Sequence, residues 1–245
     1  MKYLFILLNF SILISSHAKD VELSWEKAPV YVKDSFFSKS TSKIDLDKKY
    51  PAVIYMHGCT GIFPQHDIGW AKLLASNNMV VVLPDSMARP NRKSNCDPRL
   101  RGGTNIFPQA YEYRQQEISY AKEQITKSEW WDGRNLFLMG HSEGGIATAQ
   151  ALHNGLSGVI ISGWTCTHRS APSFDGIYSS KDIPVLAIAF LDDSWRKGKV
   201  TEGRCADKAD GRNLIQIDLI GSEHSTYESK QARDAVIEFI NKNLK

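Results

Sequence analysis

The chain has 245 residues, of which 42% are apolar and 23% charged, and its formal net charge is +3. This composition is that of an ordinary globular protein of one large domain or two small ones, long enough to bury a real core. So small a net charge gives no reason to expect nucleic acid or a membrane surface as a partner.

The first residues, MKYLFILLNFSILISSHA (1–18), place Lys2 before an apolar run from Tyr3 to Ile14. Small residues at Ser16 and Ala18 match a signal-peptidase site, and the run is too short to span a bilayer. The expectation is a cleaved secretory signal at 1–18, one domain over 19–245, and a secreted or periplasmic product with no membrane span after cleavage. Loss of Lys2 would leave a charge of about +2. Export bears on the four cysteines, Cys59, Cys96, Cys166 and Cys205. An even count in an oxidising compartment predicts two disulfides, with three pairings open. There is no CxxC and no metal-like spacing, so no metal is expected.

Short apolar runs follow in chain order at 51–58 (PAVIYMHG), 79–86 (MVVVLPDS), 135–140 (NLFLMG), 158–163 (GVIISG), 183–190 (IPVLAIAF) and 213–221 (NLIQIDLIG). Bounded by Gly, Pro, Asn or Asp, they read as buried parallel strands. Helical patterns lie at 67–78, 108–128, 143–154 and 225–243, with Gly155 placed to end the third. Residues 19–50 are read as leading antiparallel strands. The alternation predicts an α/β fold: a doubly wound, mostly parallel sheet with helices on both faces. Two long connections, 87–107 and 191–212, follow strands and so belong at the carboxyl edge, where such sheets place ligands. The first carries Arg89, Arg92, Lys93, Arg99 and Arg101 against Asp97, which hints at an anionic substrate or at a solvated basic loop.

FLMGHSEGGIATA (137–149) contains Gly140-His141-Ser142-Glu143-Gly144, a G-x-S-x-G pattern between an expected strand and an expected helix. There a serine sits on a sharp turn, its hydroxyl lifted above the sheet. Glycines two residues away on either side give it room. The Glu143 amide and the helix N-terminus face a developing oxyanion. A serine needs a base. Of the six histidines after residue 18, His224 stands after the last apolar run and before the last helix, where the base belongs. His141 adjoins the serine and is expected to point elsewhere. The acid should follow the strand before that of the histidine, where Asp192-Asp193 stand, and either carboxylate can hold the imidazole in the needed tautomer.

HGCTG, GHSEGG, Asp193 and His224, in that order, resemble the α/β-hydrolase superfamily, and PAVIYMHGCTGI with VVVLPDS and a cysteine-bearing loop resembles the dienelactone hydrolase family within it. The likeness covers most of residues 50–245. It implies Ser142 as nucleophile, Asp193 as acid, His224 as base, and the Cys59 and Glu143 amides as oxyanion donors. In related hydrolases the acid strand runs on as G-x-x-D; Phe190 takes the glycine place, which favours Asp193 over Asp192. His57-Gly58 is similar to the opening of the oxyanion loop in many esterases, with His57 itself read as a loop-stabilising hydrogen bond. The namesake enzymes have a cysteine nucleophile where this chain has Ser142, which favours ordinary ester chemistry.

Cys59 and Cys96 follow adjacent strands at one sheet edge, as do Cys166 and Cys205, so the pairings 59–96 and 166–205 are expected. Trp164 and Trp195 follow strands at the mouth, lining an apolar pocket or packing the loops. The reading is an exported serine carboxylesterase, lactones being a further substrate class, with a small-molecule ester substrate and no metal or organic cofactor. The rivals are a small peptidase of prolyl-oligopeptidase type, an acyltransferase, and a catalytically silent hydrolase fold used for binding.

Overall fold

The structure, a computed structural model, describes residues 20–35, 37–96 and 106–245, with only the backbone at Ile106 and Phe107. The expected leader at 1–18 and the loop residues Asp97, Arg99 and Arg101 lie outside the described residues. No described helix is long and apolar enough to cross a membrane.

After a helical segment at 20–26 (α1), the strands are β1 (Pro29–Tyr31), β2 (Lys39–Ser40), β3 (Tyr50–Met56), β4 (Val80–Val82), β5 (Trp131–His141), β6 (Gly158–Ser162), β7 (Val185–Phe190) and β8 (Leu214–Leu219). They form one sheet in the order β2-β1-β4-β3-β5-β6-β7-β8. β1 pairs antiparallel with β2 and β4; all other pairings are parallel. The antiparallel entry matches the reading of residues 19–50, whereas α1 is not foreseen. The other helices are α2 (Gly69–Ser76), α3 (Ile106–Thr126), α4 (Glu143–Ala149) and α5 (Lys230–Asn243).

The strands read as continuous apolar runs because both faces are covered. Ala52, Ile54, Leu136, Leu138, Val159 and Ile161 face a core sealed by Ile118, Ala121 and Ile125 of α3 and Ile146 of α4. The alternate residues Val53, Tyr55, Phe137, Met139 and Ile160 face a second core under Trp70 and Leu74 of α2 and Val236, Phe239 and Ile240 of α5. Each large side chain so buried contributes roughly 1.5–3 kcal/mol. Shifting a single strand by one residue would exchange its two side-chain sets between the faces and break both cores.

α4 is shorter than the periodicity of 143–154 suggests. The Tyr178 N–H donates to Ala149 O at 2.7 Å, and Gln115 Nε2 donates to Ala147 O at 2.9 Å. Neighbouring segments therefore take the carbonyls of its last turn, and Gly155, at φ 75°, serves a later turn instead of a helix end.

From β3 the chain moves outward to β4, then crosses back to β5 on the other side of β3. That reversal makes a topological switch point between β3 and β5, where open α/β sheets leave a crevice. The register pairs Met56 with Gly140, so the loop after β3 and the turn after β5 emerge side by side.

Candidate active site

Ser142 occupies the turn between β5 and α4 with φ 56° and ψ −116°, a left-handed conformation that costs a non-glycine residue energy. The turn is held from both sides. The Ser142 N–H donates to Ser162 O at 2.9 Å, and the Ile146 N–H donates to Ser142 O at 3.0 Å. Its flanking glycines are required by close packing. A Cβ on Gly140 would overlap the Gly144 carbonyl, and one on Gly144 would overlap the carbonyl oxygens of Met56 and His57.

His224, on the loop after β8, lies 2.6 Å through Nδ1 from Asp193 Oδ2. Asp193 is 2% exposed, and its other oxygen accepts from the Trp195 N–H at 2.8 Å. Asp192, one residue earlier, is exposed and paired with Lys197. Nδ1 is thus engaged by a carboxylate, while Nε2 of His224 is buried without a hydrogen-bond partner. Ser142, Asp193 and His224 line one cavity of about 180 Å³, with Cys59, Glu143, Ile146, Trp164, His168 and Trp195 among its other walls.

Cys59 and Glu143, expected as the oxyanion donors, both line the cavity. Glu143 is the first residue of α4, so its N–H has no partner within the helix. The Cys59 N–H meets no backbone acceptor among the described residues. The structure joins Cys59 to Cys96 and Cys166 to Cys205, with Cα separations of 5.6 and 4.8 Å. The first bond ties the loop after β3 to the loop after β4; the second ties the loop after β6 to the connection between β7 and β8.

His57 is fully buried and makes a loop contact. The Ser86 N–H donates to its Nε2 at 3.1 Å, which leaves the ring proton on Nδ1, 2.7 Å from Gly58 O. Burial, helped by the Arg114 charge, pushes its pKa well below the ordinary histidine value.

Several features differ from the sequence reading. His141 does not point away: its ring centroid is 4.7 Å from that of His224 and 4.2 Å from that of His66. Its Nδ1 lies 3.0 Å from Ser162 Oγ, which lies 2.6 Å from Thr226 Oγ1. Burial holds it neutral, its pKa far below the usual value, with His224 and His66 adding to the effect. His141 therefore braces the ring of His224.

Arg89 and Arg92 are likewise not a solvated patch. Both are buried, Arg89 3.6 Å from Glu117 and Arg92 paired with Glu143. A wholly buried arginine, Arg114 of α3, reaches Glu143 at 3.0 Å and Glu117 at 3.5 Å. Asn95 Nδ2 donates to the second Glu143 oxygen at 2.6 Å. Sequence reasoning missed Arg114 and Glu117. Their signal was present, since 114, 117, 118, 121 and 125 recur at helical spacing and place two charges on the buried stripe. Among the described residues no group of three or more His, Cys, Asp or Glu side chains is arranged to hold a metal ion.

No protein-family model and no curated protein sequence matches the chain. Solved structures do. Est1E from Butyrivibrio proteoclasticus aligns with a TM-score of 0.57 at 13% identity, over 88% of this chain and 93% of that one. A ferulic acid esterase from Streptomyces cinnamoneus aligns with a TM-score of 0.57 at 14% identity, over 81% and 68%. Esterase PE8 aligns with a TM-score of 0.57 at 16% identity, over 89% and 98%. The sheet order, the crevice and these likenesses define the class: the chain has the α/β-hydrolase fold.

Proposed function

We propose that the chain is an exported serine hydrolase that cleaves carboxylic esters, with Ser142 as nucleophile, His224 as base and Asp193 as the acid behind it. One observation carries the reading. His224 is bound through Nδ1 to buried Asp193, while its Nε2 has no partner and its ring lines the same cavity as Ser142. A neutral imidazole so held has its free nitrogen facing away from the carboxylate, ready to take the serine proton.

In this reading Ser142 Oγ attacks the ester carbonyl carbon as its proton passes to His224 Nε2. The tetrahedral oxyanion is met by the Glu143 and Cys59 N–H groups. His224 then returns the proton to the departing alkoxide, an acyl-serine is left, and water attacks it by the reverse route. No step requires a metal or organic cofactor.

The cavity supports a preference for an apolar substrate. Ile146, Trp164 and Trp195 give the cavity an apolar wall beside Ser142, which suits an apolar acyl group. The two disulfides support export, since such bonds persist in oxidising compartments. The likeness to the dienelactone hydrolase family rests on the sequence motifs alone.

The test is intact mass of the oxidised protein after incubation with a fluorophosphonate, beside Ser142→Ala. One adduct on the wild type and none on the variant is the expected result. A folded wild type that takes no adduct overturns the reading in favour of a binding protein. Esters with apolar and charged acyl groups of equal size then test the apolar wall, the apolar ones being turned over faster.

A further inference from the structure

The peptide linking Gly58 to Cys59 has two ends. Its N–H is the oxyanion donor of the proposed hydrolase, and the inference below rests on that reading. Its carbonyl oxygen, Gly58 O, accepts from Arg114 Nη2 at 3.1 Å and lies 2.7 Å from His57 Nδ1. The same Arg114 nitrogen donates to the preceding carbonyl, His57 O, at 2.8 Å. Through Nε the guanidinium reaches the Glu143 carboxylate at 3.0 Å, and Glu143 carries the other oxyanion amide. One buried cation thus touches both halves of the oxyanion site from behind.

We propose that Arg114 is a positioning residue for the oxyanion site, polarising the Gly58–Cys59 peptide from its carbonyl end while fixing Glu143 and the loop after β3 in one geometry. The physical chain is short. A cationic donor on a carbonyl oxygen draws electron density toward that oxygen and makes the N–H across the same amide bond a stronger donor. Such chains strengthen each member by about 10–30%. A buried charge acts at low dielectric and is weakly screened. The effect grows as negative charge builds on the substrate oxygen, so it favours the transition state over the bound ester.

Merely compensating Glu143 would not call for this geometry. Arg92 and Asn95 already bind that carboxylate, whereas Arg114 also spends bonds on two carbonyls of a loop more than fifty residues away in sequence. His57 works with it. Its Nδ1–H adds a second donor to Gly58 O, and its Nε2 is anchored by the Ser86 N–H.

The experiment pairs kinetics with a local probe. In Arg114→Met the expected result is a roughly 10- to 100-fold loss of kcat with KM within about twofold, less than the loss of a whole oxyanion donor. Arg114→Lys should recover part of it. An aryl trifluoromethyl ketone, which forms the tetrahedral adduct on Ser142, should lose affinity by the same factor, and the product acid should not. A folded Arg114→Met with unchanged kcat, or equal losses for ketone and acid, overturns the inference.

If both variants fail to fold, the wild type still decides. Gly58–Cys59 is the only Gly-Cys step in the chain. Protein labelled with carbonyl-¹³C glycine and ¹⁵N cysteine therefore gives one carbonyl-to-amide correlation. Its glycine carbonyl carbon should lie downfield of ordinary glycine carbonyls before any ligand is added, because a cationic donor holds the oxygen. The amide proton should move further downfield on ketone binding. An ordinary carbonyl position overturns the inference, whereas an unmoved amide strikes the oxyanion assignment of Cys59. Absence of any fluorophosphonate adduct on the wild type strikes the hydrolase reading instead, so the two failures are distinguishable.

Discussion

Asp193 Oδ2 meets His224 Nδ1 at 2.6 Å from a site that is 2% exposed, while its neighbour Asp192 is turned outward to Lys197. Two adjacent carboxylates thus have separable fates. Asp193→Asn replaces an acceptor with an amide that can present its NH₂ to the ring, favouring the wrong tautomer. The expected outcome is a kcat loss of about 10⁴-fold on a small ester, the size seen when a triad aspartate is amidated elsewhere. Asp192→Asn should leave kcat within about twofold, since it removes only an exposed ion pair. Equal effects from the two variants would remove Asp193 from the triad.

The strained backbone at Ser142 predicts a trade between stability and activity. At φ 56° any residue with a Cβ is disfavoured, and glycine is not. Ser142→Gly and Ser142→Ala should both be inactive. Against the alanine variant, the glycine variant should be more stable by about 1 kcal/mol in urea unfolding, strain relief exceeding the entropy glycine adds to the unfolded chain. Gly144→Ala should go the other way, losing at least about 1–3 kcal/mol because its Cβ meets the backbone of Met56 and His57.

That Ser142, Asp193 and His224 line one cavity is legible in the sequence because a parallel sheet sends the carboxyl ends of its strands to one edge. Residues that follow successive apolar runs must then gather there. The same rule places the cysteines on neighbouring loops. Chain order says nothing about where a ring turns within such a loop, so the contact of His141 with His224 is not readable. Nor does a count of loop charges reveal that Arg89 and Arg92 have their acids on α3 and α4, at Glu117 and Glu143. Arg114 stood on the apolar stripe of a helix, and only the burial of that stripe shows it is not solvated. The early end of α4 is likewise set by Tyr178 and Gln115, residues outside its own pattern.

Two histidines make the fold sensitive to mild acid. His57 and His141 are both buried, and burial lowers both pKa values well below 6.5, with Arg114 acting on the first and His224 and His66 on the second. The unfolded chain takes up these protons near pH 6.5 and the folded chain does not. Stability is therefore full above about pH 7.5 and declines as pH falls through 6.5. At pH 5.5 each histidine should cost about 1.4 kcal/mol relative to pH 8. Glu117, whose pKa burial raises, works in the opposite sense as it takes up its proton. The difference between wild type and His141→Asn isolates the histidine. Urea unfolding should show the variant losing about 1.4 kcal/mol less stability than wild type over pH 8 to 5.5, and parallel curves would show that His141 is protonated in the fold.

The two disulfides should separate stability from catalysis. They join residues 37 and 39 apart, so each removes a similar loop-closure entropy from the unfolded chain. That model gives about 4 kcal/mol apiece, and both Cys59→Ala/Cys96→Ala and Cys166→Ala/Cys205→Ala should lose stability on that order. Their effects on rate should differ. Cys59 carries the proposed oxyanion amide, and Asn95, beside Cys96, binds Glu143. Freeing that loop loosens both oxyanion donors. The acid loop retains other ties without its disulfide, since Arg196 donates to Phe190 O at 3.0 Å and to Gly203 O at 2.7 Å. The expected outcome at a temperature where both variants are folded is a kcat loss of at least about tenfold for the 59–96 pair. The 166–205 pair should stay within about threefold of wild type, because its loop keeps its geometry. Equal losses from the two pairs would mean that the Cys59–Cys96 bond supports the fold without shaping the site.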